Sequence, residues 1–339
     1  MVNVRDGGVV LRKRPFEFES NGVLNPGCIE HDGATHMFYR AVRDGNYSSI
    51  GYCQLNGKEI IKRLGYPIIV PEHDYEKHGV EDPRITKIGD TFYILYTAYD
   101  GFNARVAYAT SKNMLHFEKH GLISPQISYD EAEDIFNKTG VSEKYIFFES
   151  QLREINGDGI MLWEKDAVLF PEKINGKFAM LHRILPGIQI AYFENFSDLR
   201  IGYWKKYLAE LNKHVVMDPK YPHENRYIGS GCPPIKTEIG WLLIYHTVEV
   251  TLTERIYHAS AALLDLKNPG KVIARLQKPL FSPTETWEKK GVVNNVVFPT
   301  GAIQKNDDLY IYYGAADDCI GLKIVSISEL LTELKNQKE

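Results

Sequence analysis

The segment GVEDPRI, Gly79 to Ile85, brings two carboxylates and a guanidinium together as Glu81, Asp82 and Arg84. Pro83 biases Asp82 toward extended backbone. A lone Asp-Pro is most often a turn, yet a carboxyl at the mouth of a pocket suits a general acid, which hands a proton to a leaving oxygen. A second cluster, KDAVLFPEKINGKFAMLHR, runs from Lys165 to Arg183. Its Asn175-Gly176 is tight-hairpin chemistry, which would return Arg183 to the end of the sheet that carries Lys165 and Asp166. With His246 of the following unit, three cationic or donor groups would face one point and suit an oxyanion such as phosphate. The bland alternative is a charged hairpin rim. No Walker-type glycine loop, GxGxxG, GxSxG or HExxH is present, so nucleotide cofactors, serine hydrolysis and zinc proteolysis lack a motif.

Groups this far apart in sequence need a fold that gathers them. Five units repeat one plan, a Gly or Asp turn followed by a short aromatic, β-branched strand: Asp32 to Ala41, Ile88 to Ala98, Ile174 to Ile184, Ile239 to Thr247 and Asn306 to Asp317. Each is followed by a partner run (SSIGYCQL, ARVAYATS, IQIAYFEN, HASAALLDL, IGLKIVSI), and no long helices alternate with the strands. The expected fold is all-β, a five-bladed β-propeller, with a large β-sandwich as the competing architecture. Five units over 339 residues average about 68 each, longer than the roughly 40 to 50 of common blades and compatible with long loops. If these five strands line the axis, their polar ends meet in one funnel: Arg40, Thr97, His182 with Arg183, His246 and Asp317.

Two stretches read as helices. SYDEAEDIFNKT, Ser128 to Thr139, opens on a capping Ser and an acidic first turn, and would form an inserted helix between the second and third units. The C-terminal stretch places Ser328 as N-cap with a Leu330, Leu331, Leu334 stripe. The expected organisation is one catalytic propeller over 1–339, with an insertion at 124–159 and a C-terminal helix at 326–339.

With 40 basic and 44 acidic residues the net charge is −4, which excludes a basic nucleic-acid footprint. The 21 tyrosines favour strands, and such rings also stack on sugar faces. Cys28, Cys53, Cys232 and Cys319 show no metal-ligand spacing and are expected to be reduced and buried. No run approaches about 18 apolar residues and the N-terminus has no apolar signal core, so the expectation is a cytoplasmic protein with neither membrane nor nucleic-acid partner. A homo-oligomer is compatible with the sequence.

GVEDPRI with the following GDTFYILYTAYDG, KDAVLFPEKINGKFAMLHR, GSGCPPIKTEIGWLLIYHTV, SAALLDLKNPGKVIAR, and NVVFPTGA leading to YIYYGAAD together resemble glycoside hydrolase family 130, the β-mannoside phosphorylases and β-1,2-mannosidases. The resemblance runs from about Asn25 to Asp317 and implies a five-bladed propeller. It also implies that Asp82 is the proton donor, acting through a sugar hydroxyl relay. Arg40, Lys165, Arg183 and His246 fall where members make phosphate or nearby cationic contacts, and Asn25 and Asp317 where members hold the mannosyl unit; Glu81 and Asp166 join them as candidate substrate contacts. Many members have Arg-Asn where this chain has Lys165-Asp166, and the segment at about 124–159 is longer than in short members.

Inverting cleavage needs a proton for the leaving oxygen and a nucleophile on the opposite face of the ring. A hydrolase must deprotonate water with a second carboxylate, whereas phosphate arrives anionic and needs cations. The cation set therefore favours phosphorolysis of β-manno-oligosaccharides to α-mannose 1-phosphate, with phosphate as co-substrate and no metal or organic cofactor. The alternatives are an inverting β-1,2-mannosidase using Glu81, Asp166 or Glu224 as base, and a non-catalytic mannoside-binding propeller.

Overall fold

The computed structural model describes residues 2–148 and 160–337. Strand β1 (Val4–Leu11) stands apart from the strands that follow it. The first blade is β2 (Gly22–His31), β3 (Ala34–Arg43), β4 (Tyr47–Asn56) and β5 (Glu59–Arg63); the second is β6 (Gly79–Ile88), β7 (Thr91–Tyr99), β8 (Ala104–Ser111) and β9 (Glu118–Leu122). These two blades meet through a single parallel pair, Ser48 with Gly79. The third blade is β10 (Lys165–Leu169), β11 (Phe178–Arg183), β12 (Ile188–Phe193) and β13 (Val215–Met217). In the fourth, β14 (Tyr227–Ser230) and the short β15 (Ile235–Lys236) both pair with β16 (Trp241–Val250), followed by β17 (Arg255–Leu264) and β18 (Val272–Arg275). The fifth is β19 (Val297–Lys305), β20 (Asp308–Ala315) and β21 (Cys319–Ser326), and β1 completes it by pairing antiparallel with β21. The first and last strands of the chain thus close the ring with backbone hydrogen bonds, giving the five-bladed propeller.

The five units that stood out in the sequence are β3, β7, β11, β16 and β20. Each is the second strand of its blade. The strands nearest the axis are β2, β6, β10, β14 and β19, which precede them. The reading of the repeats as axis-lining strands is therefore corrected by one position, with a physical cause. Four of the inner strands are broken by register shifts, between Leu24 and Gly27, Glu81 and Arg84, Lys165 and Val168, and Pro299 and Gly301. Within them Asn25, Asp82 and Asp166 take left-handed backbone, with φ of 49°, 51° and 57°. A bulge re-aims a side chain and leaves its residue out of the ladder, and Asn or Asp is the non-glycine residue that best tolerates positive φ.

A second repeated device locks the blades. A buried glutamate from the turn before an inner strand accepts a hydrogen bond from a tyrosine of the second strand: Glu19 from Tyr39 (2.7 Å), Glu76 from Tyr96 (2.7 Å), Glu224 from Tyr245 (2.8 Å) and Glu288 from Tyr313 (2.5 Å). Each carboxylate also pairs with a cation, Arg63, Lys119, Arg275 and Lys323 respectively, so the buried charge is compensated. In the third blade the matching position is His182, 2.5 Å from Glu164.

Helix α1 (Tyr129–Thr139) begins at Ser128, whose side chain accepts from the Glu131 amide. It packs with α2 (Ile201–Ala209) between the second and third blades, burying Tyr129, Ala132 and Phe136 beside Trp204, Tyr207 and Leu208. Helix α2 has no counterpart in the sequence reading. The insertion expected at 124–159 is described to residue 148, and 149–159 lie outside the described residues. A short α3 (Thr286–Lys289) carries Glu288, and α4 (Ile327–Lys335) lies near the end of the chain. The N-cap of α4 is Ser326, which accepts from the Glu329 amide, and not Ser328, which instead bonds Asp307. Ile327, Leu330 and Leu334 form its buried stripe. All four cysteines are buried and unpaired with one another.

Candidate active site

A deep cavity of about 240 Å³ lies where the inner strands converge, lined by Asn25, Asp82, Lys165, Asp166, Tyr227 and Phe298, one or more from every blade, together with Arg40, Arg183 and Asp317. A second lobe of about 320 Å³ shares Arg40, Lys165, Val293 and Asp317 with it and adds Glu81, Tyr99 and Trp163. One funnel with two chambers results, polar and charged at its floor.

The bulges explain this composition. Asn25 Nδ2 donates to Asp82 Oδ1 at 2.8 Å, linking the re-aimed residues of the first two blades, while Asn25 Oδ1 is buried without a hydrogen-bond partner. Gly314 is needed here, because a Cβ at that position would collide with Asn25. Arg40, from the end of β3, pairs with Glu81 at 2.7 Å, lies 3.8 Å from Asp82, and is oriented by Ser48 at 2.8 Å. Lys165 reaches Glu81 at 3.8 Å. As the Asn-Gly turn predicts, Lys165 and Arg183 are register partners at one end of the third blade. Arg183 pairs with Asp166 at 2.8 Å and lies against Tyr227, its guanidinium carbon 5.0 Å from the ring centre.

Burial pushes the Asp82 carboxyl up, but Arg40, Lys165, Arg84 and the Asn25 hydrogen bond outweigh it and hold Asp82 below the ordinary carboxylate range. Asp317 goes the other way. Burial, reinforced by the charges of Asp82 and Glu81, lifts it to about 6 although Arg40 and Lys165 oppose the rise. Two neighbouring carboxyls driven apart in this manner are the usual mark of an acid-base site.

The position of Asp317 carries a stability cost. Between its unfolded value near 4 and its folded value of about 6, the folded chain binds the extra proton, so stability falls as pH rises through that window. The full displacement corresponds to at most ~3 kcal/mol, and solvent in the open cavity reduces it to about 1 to 2 kcal/mol. Asp317→Asn is therefore expected to raise urea-unfolding stability at pH 7.5 by about that amount, with the advantage vanishing below pH 4. An equal or lower stability at pH 7.5 would contradict the reading.

His246 does not join the cations. It is fully buried, does not line either lobe, and burial drives its pKa down to about 3, the nearby Asp166 charge notwithstanding. It is a neutral imidazole behind Arg183, with Nε2 3.2 Å from Nη1. Gly229 makes room for it, since a Cβ there would strike both His246 and Asp166. Thr97 and His182 also stay off the cavity wall, and His182 turns outward to Glu164 and the Tyr207 hydroxyl. Successive strand residues face opposite sides, so His182 and Arg183 cannot both point inward.

Arg84, grouped with Glu81 and Asp82 in the sequence, is buried and lines neither lobe, donating from Nε to the Gly231 carbonyl of the fourth blade at 2.6 Å and from Nη1 to the Asp82 carbonyl at 2.9 Å. Several lining residues were missed in the sequence. The Tyr227 and Tyr257 hydroxyls bond each other at 2.8 Å, and Arg255, Phe298 and Trp163 complete the walls. The GSGCPP run after Tyr227 repeats the Pro-containing interruption of Asn25-Pro26 and Asp82-Pro83, a signal that could have exposed this inner strand.

Glu224, weighed as an alternative base, is fully buried and held by Tyr245 and Arg275 in the fourth-blade lock. Glu81 is occupied by Arg40 and Lys165, and Asp166 by Arg183 with Arg84 3.8 Å away.

The family model described as β-1,4-mannooligosaccharide phosphorylase, glycoside hydrolase family 130, matches residues 11–336. The chain is 35% identical to a 1,2-β-oligomannan phosphorylase of Thermoanaerobacter sp. (strain X514), covering 96% of this chain and 97% of that protein. It is 36% identical to a β-1,2-mannobiose phosphorylase of the same strain, over 92% of each. Among solved structures, the β-1,2-mannobiose phosphorylase of Listeria innocua in complex with β-1,2-mannobiose superposes with a TM-score of 0.73 at 25% identity, over 99% of this chain and 100% of that one. With the family model spanning nearly its whole length and such relatives matching end to end, the chain belongs to glycoside hydrolase family 130.

Proposed function

We propose that the protein is an inverting β-mannoside phosphorylase, with Asp82 supplying the proton and Lys165, Arg183 and Arg40 holding phosphate. The observation that carries this is the cationic floor beside Asp82, in a lobe to which all five blades contribute. In the reaction a phosphate oxygen attacks the anomeric carbon from the face opposite the leaving group. The glycosidic C–O bond breaks, the leaving oxygen receives the proton that originates on Asp82, and α-mannose 1-phosphate and a shortened acceptor result. Asn25 and Asp317 are placed to hold mannosyl hydroxyls. His246 keeps Arg183 in position as a neutral hydrogen-bond partner.

Asp82 is ionised in the free site because cations depress it. Phosphate bound to those same cations offsets their charge and adds its own, which raises the Asp82 pKa at the moment a proton is needed. The acid is thus armed by the co-substrate. The hydrolase reading lacks such support, because Glu81, Asp166 and Glu224, the carboxylates weighed as base, are each already committed to a cation. Since relatives at 35% and 36% identity are named for β-1,2-linked mannosides, β-1,2-manno-oligosaccharides are the substrates to test first. Turnover should saturate with phosphate concentration; a rate indifferent to phosphate would refute the proposal.

Metal is not required in this scheme, since Lys165 and Arg183 supply the positive charge and would repel a divalent ion placed beside them. Exhaustive EDTA treatment should leave the phosphorolysis rate unchanged. Loss of activity restored by a divalent cation would assign the acidic residues a different task.

A further inference from the structure

The cations at the floor of the funnel already face carboxylates. Arg40 and Lys165 share Glu81, and Arg183 and Arg84 share Asp166. An incoming phosphate must compete with these internal anions for the same donors. Arg255 is different. It lines the deep lobe, is exposed, and among the described residues has no carboxylate within ion-pair distance. It is the first residue of β17, opposite Val250 across the turn at 251–254. Tyr257, two residues on and so on the same face of the strand, lines the same lobe and is tied to Tyr227, whose ring lies against Arg183.

We propose that Arg255 is a phosphate-binding residue of the deep lobe, the one that captures the anion from solvent before Lys165 and Arg183 engage it. This rests on the phosphorolysis reading above. A guanidinium offers a planar fork matched to two phosphate oxygens, and one without an internal partner gives up no ion pair when it binds. Its place at the end of an exposed turn lets it meet the anion at the cavity mouth, where an unscreened charge speeds encounter.

The test compares wild type, Arg255→Gln and Arg255→Lys in phosphorolysis of β-1,2-mannobiose across a range of phosphate concentrations, together with calorimetric titration of inorganic phosphate into each protein. Arg255→Gln should raise the phosphate KM and weaken phosphate binding at least about tenfold, the loss expected for a hydrogen-bonded charge. The mannoside KM should stay unchanged, the rise in phosphate KM should exceed any fall in kcat, and Arg255→Lys should recover part of the loss. A phosphate KM and a phosphate affinity within twofold of wild type would overturn the proposal. Wild-type turnover that ignores phosphate would refute phosphorolysis instead, and the titration would still decide Arg255: weakened phosphate binding in Arg255→Gln supports it, and unchanged binding overturns it.

Discussion

Asp82→Asn is expected to lower phosphorolysis of natural mannosides by about two to four orders of magnitude, the range that general acid catalysis contributes. The substitution keeps the shape and an oxygen that can still accept from Asn25 Nδ2, and Arg40 retains Glu81 as a partner, so the fold should survive. What is lost is the ability to give up a proton. Substrates with activated leaving groups need less protonation and should be affected less. Circular dichroism and a preserved unfolding midpoint would establish that the variant is folded. Activity near wild type in such a variant would reduce Asp82 to a bulge residue with no chemical part.

The second large effect is expected at Arg183. Arg183→Ala removes charge-assisted hydrogen bonds to phosphate worth roughly 1.5 to 3 kcal/mol each, and it also strips Asp166 of its 2.8 Å partner. A carboxylate left with Arg84 at 3.8 Å in place of its close partner then faces the incoming anion. The apparent phosphate KM should rise by about two orders of magnitude, with a much smaller change in mannoside KM. The two contributions separate in a double-mutant cycle. Adding Asp166→Asn to Arg183→Ala should recover part of the loss because the repelling charge is gone. If the double variant is worse than the single by the full effect of Asp166→Asn alone, the two residues act independently and the pairing argument fails.

The parts of this site that were legible in the sequence were those set by local turn chemistry. Asn175-Gly176 dictated a tight hairpin, and the hairpin dictated that Lys165 and Arg183 stand opposite each other. The second strands were visible because each follows a clear turn and has an uninterrupted aromatic run. The inner strands were obscured by the feature that makes them useful. Asp82-Pro83 reads as a turn, and Asn25-Pro26 is the same kind of pair, because a bulge at positive φ is built from turn residues. The charge of His246 was not readable, because it depends on burial that only the packed fourth blade provides. Arg255 opens β17 just outside the quoted motifs, so only the folded chain brings it to the cavity. Helix α2 escaped notice because IGYWKKYLA is rich in aromatic residues that also favour strands.

Phosphate, and not water, is the proposed nucleophile. The most direct measurement is to incubate the protein with β-1,2-mannobiose, with and without inorganic phosphate, and to follow both reactions by ¹H and ³¹P NMR. α-Mannose 1-phosphate should appear together with an equal amount of mannose when phosphate is present, and the disaccharide should persist when it is absent. Release of free mannose at the same rate in both samples, with no phosphate ester formed, would contradict it.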